Sequence, residues 1–291
     1  MKPVPDPPEL SARARGVRER LTGTTFADVR WLPETGSTNA DVLELIRSGE
    51  PEGIVVVADH QTAGRGRRGR SWEAPPDASL MLTVLMRPVA AVAGLTTMAL
   101  ALAASDAVAD LTGVVARLKW PNDLVWAAAG SHDRKLAGIL AEAEWPAGAT
   151  ASGGPVAPAE SQRVAVAAGI GLNVAWGDAF PEELKETAVA LDEIVAPQAP
   201  PDRADLLVAL LTHLDRHHRD LSGADGATRL MERWRDRSAT LGRMVRVDLG
   251  ADDVEGTAVD VTAEGHLVVE SLDGTTRTVA VGDVVHLRNA I

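Results

Sequence analysis

Four arginines and three glycines fill seven consecutive residues, Gly64-Arg65-Gly66-Arg67-Arg68-Gly69-Arg70. Guanidinium groups match phosphate and carboxylate oxygens two at a time, and glycine lets a backbone come close to a ligand. In a chain of net charge −12 such local density is unfavourable unless an anion visits. The loop therefore reads as an anion site, with a solvated basic loop or a nucleic-acid patch as the alternative. It is not a Walker loop, because no Gly-Lys-Ser/Thr follows.

Three other segments carry chemistry. Lys119-Trp120-Pro121-Asn122-Asp123 could be no more than a type I turn, with Pro at its second position. Twelve residues after Asp123, Lys135 stands at the mouth of an apolar strand that contains Gly138. Its stem could lie along apolar surface, but a glycine inside a strand marks close approach of a ligand or another backbone. Ser37-Thr38-Asn39 could cap the helix that follows, a role compatible with presenting polar groups to a ligand. Gln61 is the other amide close to the glycine loop.

The elements that must position these residues are readable from periodicity. Residues 1–8 are Pro-rich and expected to be disordered, and 9–21 to be a short helix. Strands are expected at 29–32, 54–58, 79–86, 115–120, 124–126, 135–144 and 164–174, and helices around 42–46, 95–111, 204–221 and 226–241. A Gly/Ala/Pro insertion at 145–163 reads as a surface loop. From Arg243 short alternating segments with Glu264-Gly265 and Asp273-Gly274 turns describe a small all-β module. That module carries four arginines against nine acids, a poor nucleic-acid platform. The division is thus an extension over 1–25, a catalytic domain over 26–240 and a β module over 241–291.

Composition narrows the chemistry. The 291 residues contain no Cys and no Tyr, which excludes disulfides, thiolate catalysis, Cys-ligated zinc and a tyrosine acid or base. No apolar stretch is long enough for a membrane span, and the N-terminus lacks the apolar core of a signal peptide, so no membrane partner and a cytoplasmic location are expected.

ETGSTN, HQTAGRGRRGRSW, KWPNDL, RKLAGIL and GIGLNV, in that order, resemble the biotin–protein ligases. The resemblance spans about 30–290. It implies an α+β fold, a biotin/lipoate ligase-like mixed sheet with flanking helices, followed by an SH3-like C-terminal β-barrel. It also implies a two-step reaction. Biotin and ATP, with Mg²⁺, give biotinyl-5′-AMP, and biotin then passes to one lysine of a biotin carboxyl carrier protein or domain of an acyl-CoA or pyruvate carboxylase. Some members add an N-terminal winged helix-turn-helix. About 30 residues precede the first motif here, too few for it, so no DNA partner is expected. A lipoate or octanoate ligase of the same fold is the nearest alternative.

By this resemblance, Ser37, Thr38, Asn39, Gln61, Arg65, Gly66, Arg67, Trp72, Lys135 and Gly138 would hold biotin. Arg65, Arg67, Arg68, Arg70, Lys119, Asn122, Asp123 and Asn173 would hold ATP or the adenylate. Lys135, Arg67 and Asp123 would carry the chemistry. Mg²⁺ would ride on the ATP phosphates without a protein-only cage.

Overall fold

The structure, a computed structural model, describes residues 12–129, 131–144, 159, 161–223, 225–250, 253–280 and 282–286. The expectation for 1–8 and most of that for 145–163 lie outside the described residues.

Helix α1 (Ala12–Arg20) leads into β1 (Asp28–Thr35), α2 (Thr38–Arg47), β2 (Ile54–Gln61) and β3 (Ser79–Met86). A four-residue α3 (Ala90–Ala93) precedes the long α4 (Thr96–Thr112), which ends on left-handed Gly113. Strands β4 (Arg117–Lys119), β5 (Asp123–Trp126), β6 (Arg134–Glu144) and β7 (Ala165–Asn173) follow, then α5 (Leu191–Ile194), α6 (Arg203–Leu221) and α7 (Gly226–Asp236). The seven strands form one sheet in the order β1-β2-β3-β7-β6-β5-β4. Only β1 and β2 run parallel, so the sheet is mixed.

Both faces of the sheet's middle are covered. Val55 and Val57 belong to the main core with α1, α4 and α6, while Ile54 and Val56 pack against Val42, Leu45 and Ile46 of α2. A strand covered on both sides favours apolar residues at successive positions, which is why residues 54–58 of β2 are apolar throughout and β3 is apolar at all but Ser79 and Thr83. All eight residues of β3 are buried.

Strands β8 (Met244–Asp248), β9 (Asp253–Val261), β10 (Leu267–Glu270), β11 (Thr276–Val279) and β12 (Asp283–His286) make a second, antiparallel sheet in the order β11-β10-β9-β8-β12. It is fastened to the first unit by buried Trp120, whose indole N–H donates to Gly265 O at 2.9 Å, and by Arg243 against Asp133 at 2.8 Å.

Two expected elements are shorter than their apolar pattern. Only Arg117–Lys119 of 115–120 pairs as a strand. Helix α7 stops at Asp236 because the chain then runs beside β4, with Ala239 N–H donating to Leu118 O at 2.7 Å. The turn after Lys119, which sequence alone could make a type I turn, contains a cis Trp120–Pro121 bond.

Candidate active site

The turn from β1 into α2 places Ser37, Thr38 and Asn39 at the helix start, all three buried. Ser37 occupies the N-cap position, but its side chain makes no capping bond. Gln61, at the end of β2, accepts with Oε1 from Thr38 N–H at 2.8 Å and from the Thr38 hydroxyl at 3.1 Å. The Thr83 hydroxyl lies 2.6 Å from Asn39 Oδ1 and 2.8 Å from Thr38 Oγ1. A hydroxyl has one proton to give, so Thr83 donates its own to the amide oxygen, and the Thr38 hydroxyl shares its single proton between Gln61 Oε1 and Thr83 Oγ1. The result is an end of the site lined by amides and hydroxyls that are held in register.

Three glycines make the floor. Gly138 on β6 pairs with Gly171 on β7, and Gly169 pairs with Leu140 and Thr83. A Cβ at Gly169 would stand 1.9 Å from Asn39 Oδ1, and one at Gly171 only 2.4 Å from the Trp72 ring. Side chains are missing here because the amide and the indole use that space. The Trp72 indole N–H is buried without a hydrogen-bond partner, an orphan donor that a polar ligand could satisfy.

The arginine segment is not shapeless. It closes as a tight hairpin, with Gly66 N–H donating to Arg70 O at 2.7 Å, Trp72 N–H to Gly64 O at 3.0 Å, and Arg68 left-handed at the tip. Its charges are already partnered. Arg65 meets Glu142 at 3.0 Å, at the amide end of the site. Arg67 donates to Asn122 Oδ1 at 3.1 Å and to Gly282 O at 3.3 Å. Arg68 pairs with Asp248 at 3.0 Å, and Arg70 with Asp283 at 2.5 Å. Acids of the C-terminal module therefore relieve much of the repulsion that the sequence concentrates in this loop.

Lys135 reaches across Gly138 to stand 2.7 Å from Asp123 Oδ1, and its ammonium lies 5.7 Å from the Trp72 ring centroid. Burial pushes the Lys119 pKa down, assisted by Lys135 and Arg243 and opposed by Asp123 and Asp133. Burial also lowers that of Arg67, while Asp283 and Asp123 favour its charge.

These groups surround one cavity of about 260 Å³. It brings together Ser37, Thr38, Asn39, Gln61, Arg65, Gly66, Arg67, Arg70, Trp72, Lys119, Asn122, Asp123, Lys135 and Gly138. It does not bring in Arg68, which is spent on Asp248, or Asn173. Asn173 lies one strand period past Gly171, where its amide accepts from the Ser79 hydroxyl at 3.3 Å and donates to Val189 O at 3.1 Å. Asn122 is a strut, donating to Ile139 O at 2.7 Å while it accepts from Arg67. Sequence reasoning missed Asp283, which lines the cavity, and Thr83 and Glu142, which orient its walls. Among the described residues no group of three or more His, Cys, Asp or Glu side chains is arranged to hold a metal ion.

Residues 31–151 match the model of the Biotin/lipoate A/B protein ligase family, and 240–287 that of the Biotin protein ligase C terminal domain. A Biotin--[acetyl-CoA-carboxylase] ligase of Mycobacterium tuberculosis is 38% identical over 94% of this chain and 95% of its own length. The Bifunctional ligase/repressor BirA of Escherichia coli is 30% identical over 99% of this chain and 81% of its own. Among solved structures, the biotin protein ligase from Aquifex aeolicus in complex with biotin and ATP superposes with a TM-score of 0.70 at 25% identity, over 90% of this chain and 99% of that one.

Proposed function

The chain belongs to the biotin–protein ligase family, and from that premise we infer that its cavity joins biotin to ATP and hands the biotin to a carrier protein. One observation carries the reading. A single cavity has an amide-and-hydroxyl end, where the charge of Arg65 is balanced by Glu142, and a cationic end, with an indole between them. Biotin has the same sequence of chemistry: a neutral ureido ring, an apolar thioether ring and a carboxylate.

In the first step a biotin carboxylate oxygen attacks the α-phosphorus of ATP, and the bond to the β-phosphate oxygen breaks, releasing pyrophosphate. Two anions must approach, so the site has to neutralise both. Lys135, paired with Asp123, would sit between carboxylate and α-phosphate. Arg67, steadied by Asn122, and Lys119 and Arg70 add positive potential on the phosphate side. Mg²⁺ bound to the phosphates supplies further charge neutralisation when ATP is present. In the second step the uncharged amine of a carrier lysine attacks the acyl carbon, the acyl–oxygen bond breaks and AMP leaves. The enzyme forms no covalent intermediate, so the hairpin must keep water from the adenylate between the steps.

We assign the carrier as the biotin carboxyl carrier protein or domain of a carboxylase, the site of action as the cytoplasm, and the division of labour as catalysis in 26–240 with 241–291 supporting the hairpin. No helix among the described residues is long and apolar enough to cross a membrane. The loop arginines are engaged by Glu142, Asn122, Asp248 and Asp283, which argues against a free nucleic-acid surface. The test is incubation with ATP, Mg²⁺, biotin and a carrier domain, followed by intact-mass measurement of the carrier. One biotinyl adduct that fails to form with octanoate supports the assignment. An octanoyl adduct with no biotinyl adduct overturns it in favour of the lipoate branch of the fold.

A further inference from the structure

Glu142 does not line the cavity, yet one of its oxygens joins two groups that do. Oε2 accepts from Asn39 Nδ2 at 2.9 Å and from the Arg65 guanidinium at 3.0 Å. Asn39 Nδ2 also donates to Leu140 O at 3.1 Å. An ionised carboxylate only accepts, and so does a carbonyl. The nitrogen side of Asn39 is therefore fixed against two acceptors. A flipped amide would turn its oxygen onto both, in a residue that is 5% exposed. The oxygen must lie on the other side, where Thr83 donates to it and Gly169 has no Cβ to obstruct it. One lone pair of Asn39 Oδ1 remains for a ligand, and it can read only a donor.

We propose that Glu142 is a positioning residue that locks Asn39 with its oxygen toward the ligand and, through the same carboxylate oxygen, holds Arg65 of the hairpin over that end of the cavity. The inference rests on the biotin-ligase reading and adds what this end of the site selects for, an N–H donor such as those of the ureido ring. Sharing one oxygen makes the two functions interdependent. Loss of the Arg65 bond frees the carboxylate to swing away from Asn39, whose Nδ2 then keeps only Leu140 O. Coupling of this kind is reciprocal, so a ligand that engages Asn39 also favours the closed hairpin.

The test uses Glu142→Gln and Glu142→Ala in the full chain. Glutamine keeps the shape and one acceptor but has no charge for Arg65 and adds a donor against Asn39. Alanine removes both bonds. Biotin affinity without ATP is measured by calorimetry, kcat and KM by biotin-dependent ATP–pyrophosphate exchange, and hairpin closure by tryptic cleavage after Arg65. The expected result is a biotin Kd raised about tenfold in Glu142→Gln and about thirtyfold or more in Glu142→Ala, with kcat at saturating biotin within about threefold of wild type. Biotin should no longer slow cleavage after Arg65 in either variant. In an Arg65→Met background, Glu142→Gln should weaken binding less than about threefold, because the shared bond is already gone. If Glu142→Ala fails to fold, the near-isosteric Glu142→Gln decides. Affinities within about twofold of wild type, or a lost kcat at unchanged affinity, overturn the proposal. A wild-type chain that does not bind biotin overturns the parent reading as well, whereas wild-type binding with unaffected variants removes this inference alone.

Discussion

The carboxylate of Asp283 lies 2.5 Å from the guanidinium of Arg70, although 213 residues separate them in the chain. The same carboxylate is 3.6 Å from both Arg67 and Arg68. The C-terminal module thus supplies fixed negative charge to a hairpin built to meet a mobile one. Each of these pairs is partly solvated, and exposed ion pairs contribute only about 0–1 kcal/mol. They hold the hairpin without locking it.

The first prediction concerns that hold. Asp283→Asn should lower overall stability by less than about 1 kcal/mol, yet speed tryptic cleavage after Arg67, Arg68 and Arg70 in the ligand-free protein. Biotin with ATP should slow the cleavage in both forms, since phosphate replaces the missing carboxylate. Equal ligand-free rates in wild type and variant would count against the clamp.

Arg67→Gly should damage retention more than synthesis. Arg67 ties the hairpin to both Asn122 and Gly282 O, whereas Lys135 remains to assist the chemistry. A charge-assisted hydrogen bond is worth about 1.5–3 kcal/mol, or roughly ten- to a hundredfold in adenylate dissociation. The readout is biotin labelling of an unrelated protein in the same tube, at matched adenylate yield. Unchanged bystander labelling with collapsed synthesis would move Arg67 from the seal to the chemistry.

Gly169→Ala should fold but bind biotin poorly. The new methyl would stand 1.9 Å from Asn39 Oδ1 and 3.0 Å from the Thr83 hydroxyl, so Asn39 must move. Overpacking of this sort costs about 1–3 kcal/mol. Calorimetry of biotin binding beside a melting curve separates the effects. Wild-type affinity would show that Asn39 does not read the ligand.

Acid should loosen the junction between the β5–β6 hairpin and the C-terminal module. His286 of β12 is 3.3 Å from Asp133, with Lys119, Arg243 and Thr240 also around it. Burial, with Lys119 and Arg243, lowers the His286 pKa and outweighs the opposing pull of Asp133. A histidine with a depressed folded pKa binds its proton more readily when unfolded. Stability is therefore full above the ordinary value near 6.5 and falls as pH drops below it. Asp133 is lowered mainly by its bond to His286, so its own contribution is lost only at more acidic pH, below the normal carboxylate range. Denaturant melts from pH 7.5 to 5.5 should show a decline that His286→Gln reduces. Parallel curves for the two proteins would refute the assignment.

What could be read from sequence was what is local in sequence. Alternation and β-branched runs located β2, β3 and β7, and the GRGRRGR, KWPND, KLAG and STN segments named most of the cavity wall, because each keeps its chemistry within a few residues. The partners were not legible. Glu142 is one polar residue among the alternating positions of β6, and Asp248 and Asp283 belong to a module whose acidity argued only against nucleic acid. Thr83 sits inside an otherwise apolar strand, where nothing marks its hydroxyl as the donor to Asn39. Asn173 shows the converse. Its motif continued past the glycines, but one strand period further the neighbours are Ser79 and Val189 instead of the cavity.

The central claim is that this cavity activates biotin with ATP and that Lys135 carries the charge neutralisation. The most direct measurement is ATP–pyrophosphate exchange with and without biotin, for the wild-type chain and for Lys135→Ala shown to be folded by its melting curve. The account predicts exchange in wild type only when biotin is present, and loss of at least about a hundredfold in the variant, the equivalent of roughly 2.7 kcal/mol of transition-state stabilisation. Exchange within threefold of wild type in Lys135→Ala, or none in wild type with biotin, would contradict it.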